Sequence, residues 1–481
     1  MHFFLASRIH ILDREAIFME KLLNTADSVN ACLNRFVWGP VMLFFFLFIG
    51  LLFSFGTGFF QIRKFRLWMK CTFFSLFRQH SSVRSGSGDG ISQFQSVCTA
   101  LAATLGIGNI AGVATALVLG GPGAVFWMWV SAFLGMMTAY AENVLGIRYR
   151  CRNSANEWTG GPMVYLEKGL HCRPLAVLFC LFCILASLGM GNMAQANSIA
   201  SGLQDAFGIS PWMTGCFFVI LISLVILGGI QRISRVAEFF VPAAALAYIL
   251  CGILVILKNH AALLQALALI FREAFAPSSA AAGALGYGMK TALRRGISRG
   301  VFSNEAGLGS YVIVHCAADT DDPVLQGMWS IFEIFADTMI MCTVTALAIL
   351  TSKVYDKGIC LQQLAAGQEP VSGTALTGRA FASVLPHGSQ FVALSVILFA
   401  FSTILGWSYF GERCASWLFG PRAVLPYKLL FLACIFPGCI IPLNLVWEIS
   451  DTFNGLMALP NLIGLLFLSP EVFSVTRKYF M

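Results

Sequence analysis

Thr104-Leu105-Gly106-Ile107-Gly108-Asn109-Ile110-Ala111-Gly112 stands in the middle of an apolar run at 94–119. The stretch decides the fold because it contradicts its surroundings. Glycine costs about 1 kcal/mol per residue in a helix interior relative to alanine, so the cluster Gly106, Gly108 and Gly112 favours local unwinding. Unwound backbone at membrane depth survives only where it lines a cavity or is buried in protein. Its free N–H and C=O groups then act as ligands: a half-helix N-terminus suits a carboxylate, and the carbonyls of the facing half suit a cation such as Na⁺.

That the run lies in a membrane follows from composition. The chain has 481 residues, 58% of them hydrophobic and only 11% charged, against about 45–50% apolar and about 25% charged in soluble domains. Its 31 Lys+Arg and 23 Asp+Glu cannot cover the surface of a globule this large. A secreted disulfide scaffold, a disordered chain and a cytosolic enzyme are excluded. The net charge of +8 invites a nucleic-acid reading, but the bases lie in short segments between apolar runs, the pattern of loops held at an anionic leaflet. The 15 cysteines fall mostly inside those runs (Cys180, Cys183, Cys251, Cys342, Cys434, Cys439), where they serve as small apolar packers. The N-terminal residues 1–35 mix acids with bases and lack the compact apolar core of a cleavable signal.

Candidate spans fall near 36–60, 94–119, 123–147, 174–201, 212–230, 237–257, 297–317, 325–352, 389–411, 425–441 and 443–468, about eleven transmembrane helices of roughly 20 residues. Pro242 and Pro442 are tolerable where helices pack against neighbours. Loop 61–93 carries Arg63, Lys64, Arg66, Lys70, Arg78 and Arg84 against Asp89 alone, and loop 148–173 carries Arg148, Arg150, Arg152, Lys168 and Arg173. Arg232 and Arg235 in 231–236, with Arg477 and Lys478 in the tail 469–481, fall on the same side. The positive-inside rule puts that side, and the C-terminus, in the cytoplasm and the N-terminus outside. Segment 258–296 disobeys, being external yet holding Lys258, Arg272, Lys290, Arg294 and Arg295.

A second stretch repeats the oddity of the first: Phe302-Ser303-Asn304-Glu305-Ala306-Gly307-Leu308-Gly309-Ser310, in the least hydrophobic span. Taken alone, each cluster reads first as close helix packing, and Gly108 and Gly112 have the small-xxx-small spacing. Their placement argues otherwise. If 94–257 and 297–468 are two five-helix halves behind an extra leading helix 36–60, each cluster sits in the first helix of its half. Paired interruptions of that kind point to an inverted-repeat transporter with its site near the midplane.

Other polar residues gather in mid-span. Gln195 and Asn197 lie in the 174–201 span, as site residues or as interhelical hydrogen-bonders. Ser402 and Thr403 either bond back to their own helix or complete an oxygen cage for Na⁺, and Trp407 either walls off a small side chain or packs the core. Glu333 and Asp337 should face the bundle interior, to bind an ion, relay protons or pair with arginine. The lone His315 reads as a structurally satisfied histidine.

At these residues the chain resembles the sodium:alanine symporter family. The resemblance is carried by Gly106-Ile107-Gly108-Asn109-Ile110-Ala111-Gly112-Val113-Ala114 and Gly120-Gly121-Pro122-Gly123-Ala124-Val125-Phe126-Trp127-Met128-Trp129. It continues in Gly160-Gly161-Pro162-Met163, Gly191-Asn192-Met193-Ala194-Gln195, Arg299-Gly300-Val301-Phe302-Ser303-Asn304-Glu305-Ala306-Gly307 and Gly406-Trp407-Ser408-Tyr409-Phe410-Gly411-Glu412. It runs from about Trp38 to the end of the last span. It implies an all-α polytopic membrane protein with a five-plus-five inverted-repeat (LeuT-type) core, in a plasma membrane, the bacterial inner membrane. By the same resemblance the amides of Gly106, Ile107 and Gly108 hold a substrate carboxylate. The substrate amino group meets Phe302, Ser303 and Asn304 with Gln195 nearby, and Phe302 and Trp407 limit the side chain to that of alanine or glycine. One Na⁺ is implied at the carbonyl of Thr104 with Asn109 and Ser303. A second is implied at the carbonyls of Ala102 and Leu105 with Ser402 and Thr403. Ile107 departs from the family, where a small or hydroxyl residue is common.

The function implied is Na⁺-coupled uptake of a small neutral amino acid, with H⁺ coupling as the alternative. Alanine, glycine, serine and D-enantiomers are not ranked by the sequence. Na⁺ would be cargo, and no organic cofactor, nucleic acid or obligatory protein partner is expected beyond membrane lipid. An enzyme reading has one formal support, Gly296-Ile297-Ser298-Arg299-Gly300, which fits G-x-S-x-G without its strand-to-helix elbow. A channel would need a ring-forming filter sequence, and a sensor an appended signalling domain; neither pattern is evident.

Overall fold

The computed structural model describes residues 28–77, 90–153, 156–276, 288–441 and 444–481. The basic residues Arg78 and Arg84, with Asp89, Pro442 and the tail up to residue 27, lie outside the described residues. Among the described residues, seven helices are long and apolar enough to cross a membrane, and up to nine with two bent pairs. The shorter apolar helix Pro211–Ile226 and the polar helix Met289–Asn304 complete the set of spans expected from the sequence.

The first span ends at Gly56, and the second begins at a capping box. The Ser92 hydroxyl accepts from the Gln95 amide at 3.1 Å while the Gln95 side chain accepts from the Ser92 amide at 3.1 Å, satisfying two orphan donors reciprocally. Helix Gln93–Thr104 then stops, and the chain resumes as a π-helical turn at Gly108–Gly112 that runs on to Gly120, bent by 50° from the first half. The third span, Gly123–Tyr149, packs along the seventh and eighth. The fourth, Arg173–Phe207, carries a second π turn at Gly189–Met193. The eighth, Pro323–Thr351, carries a third π-helical stretch at Phe335–Cys342. Single π turns inside α-helices gather at functional sites, because the extra residue re-aims side chains.

The seventh span is broken as expected, but differently from the second. Helix Met289–Asn304 ends at Glu305 with φ 54°, and a turn follows through Gly307 (φ 89°) and Gly309 (φ 79°) before the short helix Val312–His315. Positive φ at these two positions is what glycine supplies without a Cβ penalty.

Two sequence expectations are corrected, and some segments outside the spans prove helical. Segment 231–236 is no loop: it forms the first turns of the 30-residue helix Gly229–Lys258, so the fifth span ends at Ile226 and the turn falls on Gly228-Gly229. Arg232 and Arg235 therefore ride on a helix end, where long basic side chains reach the interface. Segment 258–296 is largely helical, with Leu263–Ala274 and the start of Met289–Asn304, so Lys290, Arg294 and Arg295 belong to the first half of the broken seventh span. The tail 469–481 is helical over Ser469–Tyr479, and segment 61–93 contains Phe60–Arg63 and Phe65–Cys71. Between the eighth span and the ninth (Gly388–Phe419), two short helices appear, Lys357–Ala365 and Gly373–Ala382.

At one end of the bundle a two-stranded hairpin pairs Cys151–Arg152 with Trp158–Thr159. Arg150 anchors it, donating to the carbonyls of Cys316 (3.1 Å), Ala318 (2.6 Å) and Thr320 and to Asp321 (2.9 Å). Arg413 of the ninth span donates to Glu157 at 2.7 Å. Partial burial works to raise the Glu157 carboxyl, but the Arg413 charge and hydrogen bond outweigh it and hold the group below the usual carboxylate range.

Candidate functional site

The interruption in the second span is a meeting point of side chains from four other spans. Gly106 lies where the backbone leaves the helix, and its N–H donates to Asn109 Oδ1 at 3.1 Å. The Asn109 amide nitrogen turns the other way, donating to Asp337 Oδ1 at 2.6 Å and to the Asp337 carbonyl at 3.3 Å. Ser303, at the end of the first half of the seventh span, donates to Asp337 Oδ2 at 2.9 Å, and Thr338 donates to the same oxygen at 2.6 Å. Asn304 donates to Thr338 Oγ1 at 3.1 Å and accepts from the Ala306 amide at 3.1 Å. One acid thus gathers the two breaks. An ionised side chain at the bilayer centre costs about 3 kcal/mol or more, and Asp337 is 1% exposed.

On the other flank, Thr403 of the ninth span donates to the Ala102 carbonyl at 3.1 Å and lies 3.5 Å from the Leu105 carbonyl. Three oxygens converge there. Ser402 is not among them, because its hydroxyl donates back to Phe399 O at 2.8 Å in its own helix. Gln195 donates to Met190 O at 3.2 Å across the π turn, and its Oε1 is buried without a partner among the described residues. The same holds for Thr104 Oγ1. A Cβ built on Gly106 would lie 2.9 Å from Thr403 Oγ1 and 3.9 Å from Gln195 Oε1, so Gly106, Gln195 and Thr403 face one space. Asn197, by contrast, reaches the Ile441 carbonyl at 3.4 Å, away from that group.

The two glycines of the small-xxx-small spacing separate. A Cβ on Gly108 would meet Ser303 Cα at 3.3 Å and the Phe302 ring at 3.4 Å, so the second and seventh spans cross there. A Cβ on Gly112 would meet nothing within 4 Å. Ile107 is buried. Trp407 backs onto Gly191, whose Cβ would lie 2.4 Å from Trp407 Cβ, and its indole N–H donates to Glu305 Oε1 at 3.1 Å.

Behind the seventh-span break lies a brace that sequence reasoning missed. Glu305 also accepts from the Ser310 hydroxyl. Glu142 of the third span accepts from Tyr311 at 2.5 Å and from Asn461 at 2.5 Å, and Asn461 donates to the Gly307 carbonyl at 2.9 Å. Tyr165 donates to Asn461 Oδ1. The available signals were an acid in a span of apolar residues, Glu142, and an asparagine within the last span, Asn461. Glu333 and His315 pair at 3.0 Å, and Gln326 contacts the other imidazole nitrogen at 2.5 Å. Gly296 to Gly300 lie inside helix Met289–Asn304, without an elbow.

A cavity of about 430 Å³ opens between the end of the fourth span, the helix Gly373–Ala382 and the start of the ninth span, with Asp205 and Arg379 on its wall. It lies at the end of the bundle opposite the hairpin. The Gly373–Ala382 helix caps the second-span break, for Thr377 donates to Ile110 O at 3.2 Å.

The profile of the sodium:alanine symporter family matches residues 23–481. The chain belongs to this family. It is a membrane transporter of the symporter class and not an enzyme. It is 44% identical over 456 residues to the sodium/alanine symporter AgcS of Methanococcus maripaludis, covering 94% of this chain and 97% of that protein. It is 38% identical to a putative sodium/proton-dependent alanine carrier protein, YrbD of Bacillus subtilis, covering 94% of this chain and 92% of the other. Among solved structures, MhsT in complex with L-phenylalanine matches with a TM-score of 0.54 at 13% identity, covering 81% of this symporter and 99% of MhsT. That likeness is one of fold, the LeuT-type helical bundle.

Proposed function

We propose that this symporter carries a small neutral amino acid, alanine or glycine, into the cell together with Na⁺. The single observation behind the reading is the convergence of the Ala102 and Leu105 carbonyls on the Thr403 hydroxyl beside Gly106. Oxygen dipoles without formal charge suit a weakly held cation, and the N–H groups at the Gly108 half-helix suit a carboxylate. In this reading Gly106, Ile107 and Gly108 receive the substrate carboxylate. Gln195, Phe302, Ser303 and Asn304 surround its amino group, and Phe302 with Trp407 limits the side chain. One Na⁺ lies at Thr104, Asn109 and Ser303; the other lies at Ala102, Leu105 and Thr403, with Ser402 behind them.

The two repeats expected at 94–257 and 297–468 are drawn to the observed helices: the second begins with helix Met289–Asn304, and the leading span is Ser28–Gly56 rather than 36–60. The hairpin end faces the cytoplasm of a bacterial inner membrane, the N-terminus lies outside, and substrate enters through the Asp205–Arg379 cavity. The names of the relatives support alanine as substrate and Na⁺ as driving ion, and that of YrbD keeps H⁺ as the second candidate. One charge crossing about 100 mV releases about 2.3 kcal/mol, enough to concentrate a zwitterion roughly 50-fold at 1.4 kcal/mol per tenfold.

The deciding experiment is uptake of labelled alanine into proteoliposomes under an imposed Na⁺ gradient, an H⁺ gradient or none, with unlabelled amino acids as competitors. Uptake that follows Na⁺ and is competed by glycine is expected. Uptake that follows pH alone transfers the reading to H⁺ coupling.

A further inference from the structure

We propose that Asp337 is the anionic ligand of a transported cation, held where the second, seventh and eighth spans meet. The proposal rests on the symport reading above. Asp337 is buried, and its recorded partners are three neutral donors, Asn109, Ser303 and Thr338. The other buried acids near the breaks are arranged differently. Glu333 has His315, while Glu305 and Glu142 serve the brace of the seventh-span turn. Among the described residues no lysine or arginine pairs with Asp337, and the charged side chains acting on it are other acids, Glu333 and Glu305. A negative charge at that depth calls for a positive one.

The surroundings are built to receive it. A hydroxyl donates one hydrogen and offers two lone pairs, so Ser303 and Thr338 turn from donors to ligands by rotating their O–H bonds away from the carboxylate. Both already touch the same carboxylate oxygen. The π-helical stretch Phe335–Cys342 brings Asp337 and Thr338 together onto the interior face. The ligand chemistry is a cation with a preference for oxygen, which Na⁺ and the substrate ammonium both satisfy.

The test uses the full-length protein with two readouts: the Na⁺-dependent rise in thermal unfolding temperature without amino acid, against K⁺ as control, and alanine binding at saturating Na⁺. Asp337→Asn keeps the shape and removes the charge. A tenfold or greater rise in half-saturating Na⁺ in the first readout assigns the carboxylate to Na⁺. An unchanged Na⁺ response with alanine affinity at least tenfold weaker assigns it to the ammonium. Both readouts unchanged in a folded variant overturn the proposal and leave symport standing. A parent protein with no Na⁺ response and no alanine binding fails the symport reading, and this proposal with it. Should Asp337→Asn not fold, Thr338→Val takes its place: a several-fold loss in either readout is expected, and unchanged values overturn the assignment.

Discussion

Replacing Gly106 by alanine tests the convergence at the second-span break with a single methyl. The added Cβ would stand 2.9 Å from Thr403 Oγ1, about half an ångström inside ordinary contact. Thr403 cannot swing aside freely, because the hydroxyl that must move donates to Ala102 O at 3.1 Å and approaches Leu105 O at 3.5 Å. Turning it away removes one oxygen from the cage, and holding it in place forces the break outward. Overpacking of this kind costs about 1–3 kcal/mol. If that cost falls on the cation-bound form, half-saturating Na⁺ for alanine uptake rises roughly 5- to 140-fold at 1.4 kcal/mol per tenfold. Gly112→Ala is the internal control, since its Cβ meets nothing within 4 Å and alanine is favoured over glycine in a helix by about 1 kcal/mol. Uptake should keep its Na⁺ dependence there. The reasoning is refuted if Gly106→Ala retains the parent Na⁺ curve, or if the two substitutions damage uptake equally.

Three further outcomes are expected. Asn109→Ala should raise half-saturating Na⁺ for uptake, because Asn109 joins Gly106 to Asp337; an unchanged Na⁺ curve in a folded protein counts against that ligand. Asn461→Ala leaves Glu142 and the Gly307 carbonyl each short of a donor, so thermal unfolding should come several degrees earlier, at about 1–3 kcal/mol per unsatisfied buried group; an unchanged unfolding temperature removes the brace. Glu157→Gln weakens the pair that ties the hairpin to Arg413. It should change the rate of alanine exchange while alanine affinity at saturating Na⁺ stays within about twofold, and equal exchange rates in variant and parent would sink the idea that this end opens.

Both helix breaks were legible in the sequence because they violate their local context: glycines and amides inside runs that otherwise read as uninterrupted helix. The helix Gly229–Lys258 was misjudged for the converse reason. Arg232 and Arg235 look like loop residues in a linear reading, whereas they are exposed on the first turns of a helix, where long basic side chains reach water. The turn itself falls at Gly228-Gly229, before the two arginines. The helices Lys357–Ala365 and Gly373–Ala382 are short and mixed in polarity, so no apolar period marks them. Asp337 stood out as an intramembrane acid, yet its partner Asn109 is 228 positions away. Nothing local in one sequence encodes a contact at that separation; it follows only once the π-helical stretch has turned the eighth span.

The hydrogen bond from the Gly106 amide to Asn109 Oδ1 bears on why two cargoes should travel together. For a substrate carboxylate to take that amide, Asn109 Oδ1 must let it go. The oxygen so released is then free to face a cation beside Asp337, the acid that its own amide nitrogen already touches at 2.6 Å. Conversely, a cation that draws Asn109 Oδ1 toward itself leaves the Gly106 N–H without an acceptor and ready for a carboxylate. Each ligand removes a cost that the other would bear alone, and linkage requires the effect to be reciprocal: the factor by which Na⁺ tightens alanine equals the factor by which alanine tightens Na⁺. Under the proposed function, coupling needs no relay through the bundle, because one amide side chain serves both cargoes by exchanging one hydrogen bond.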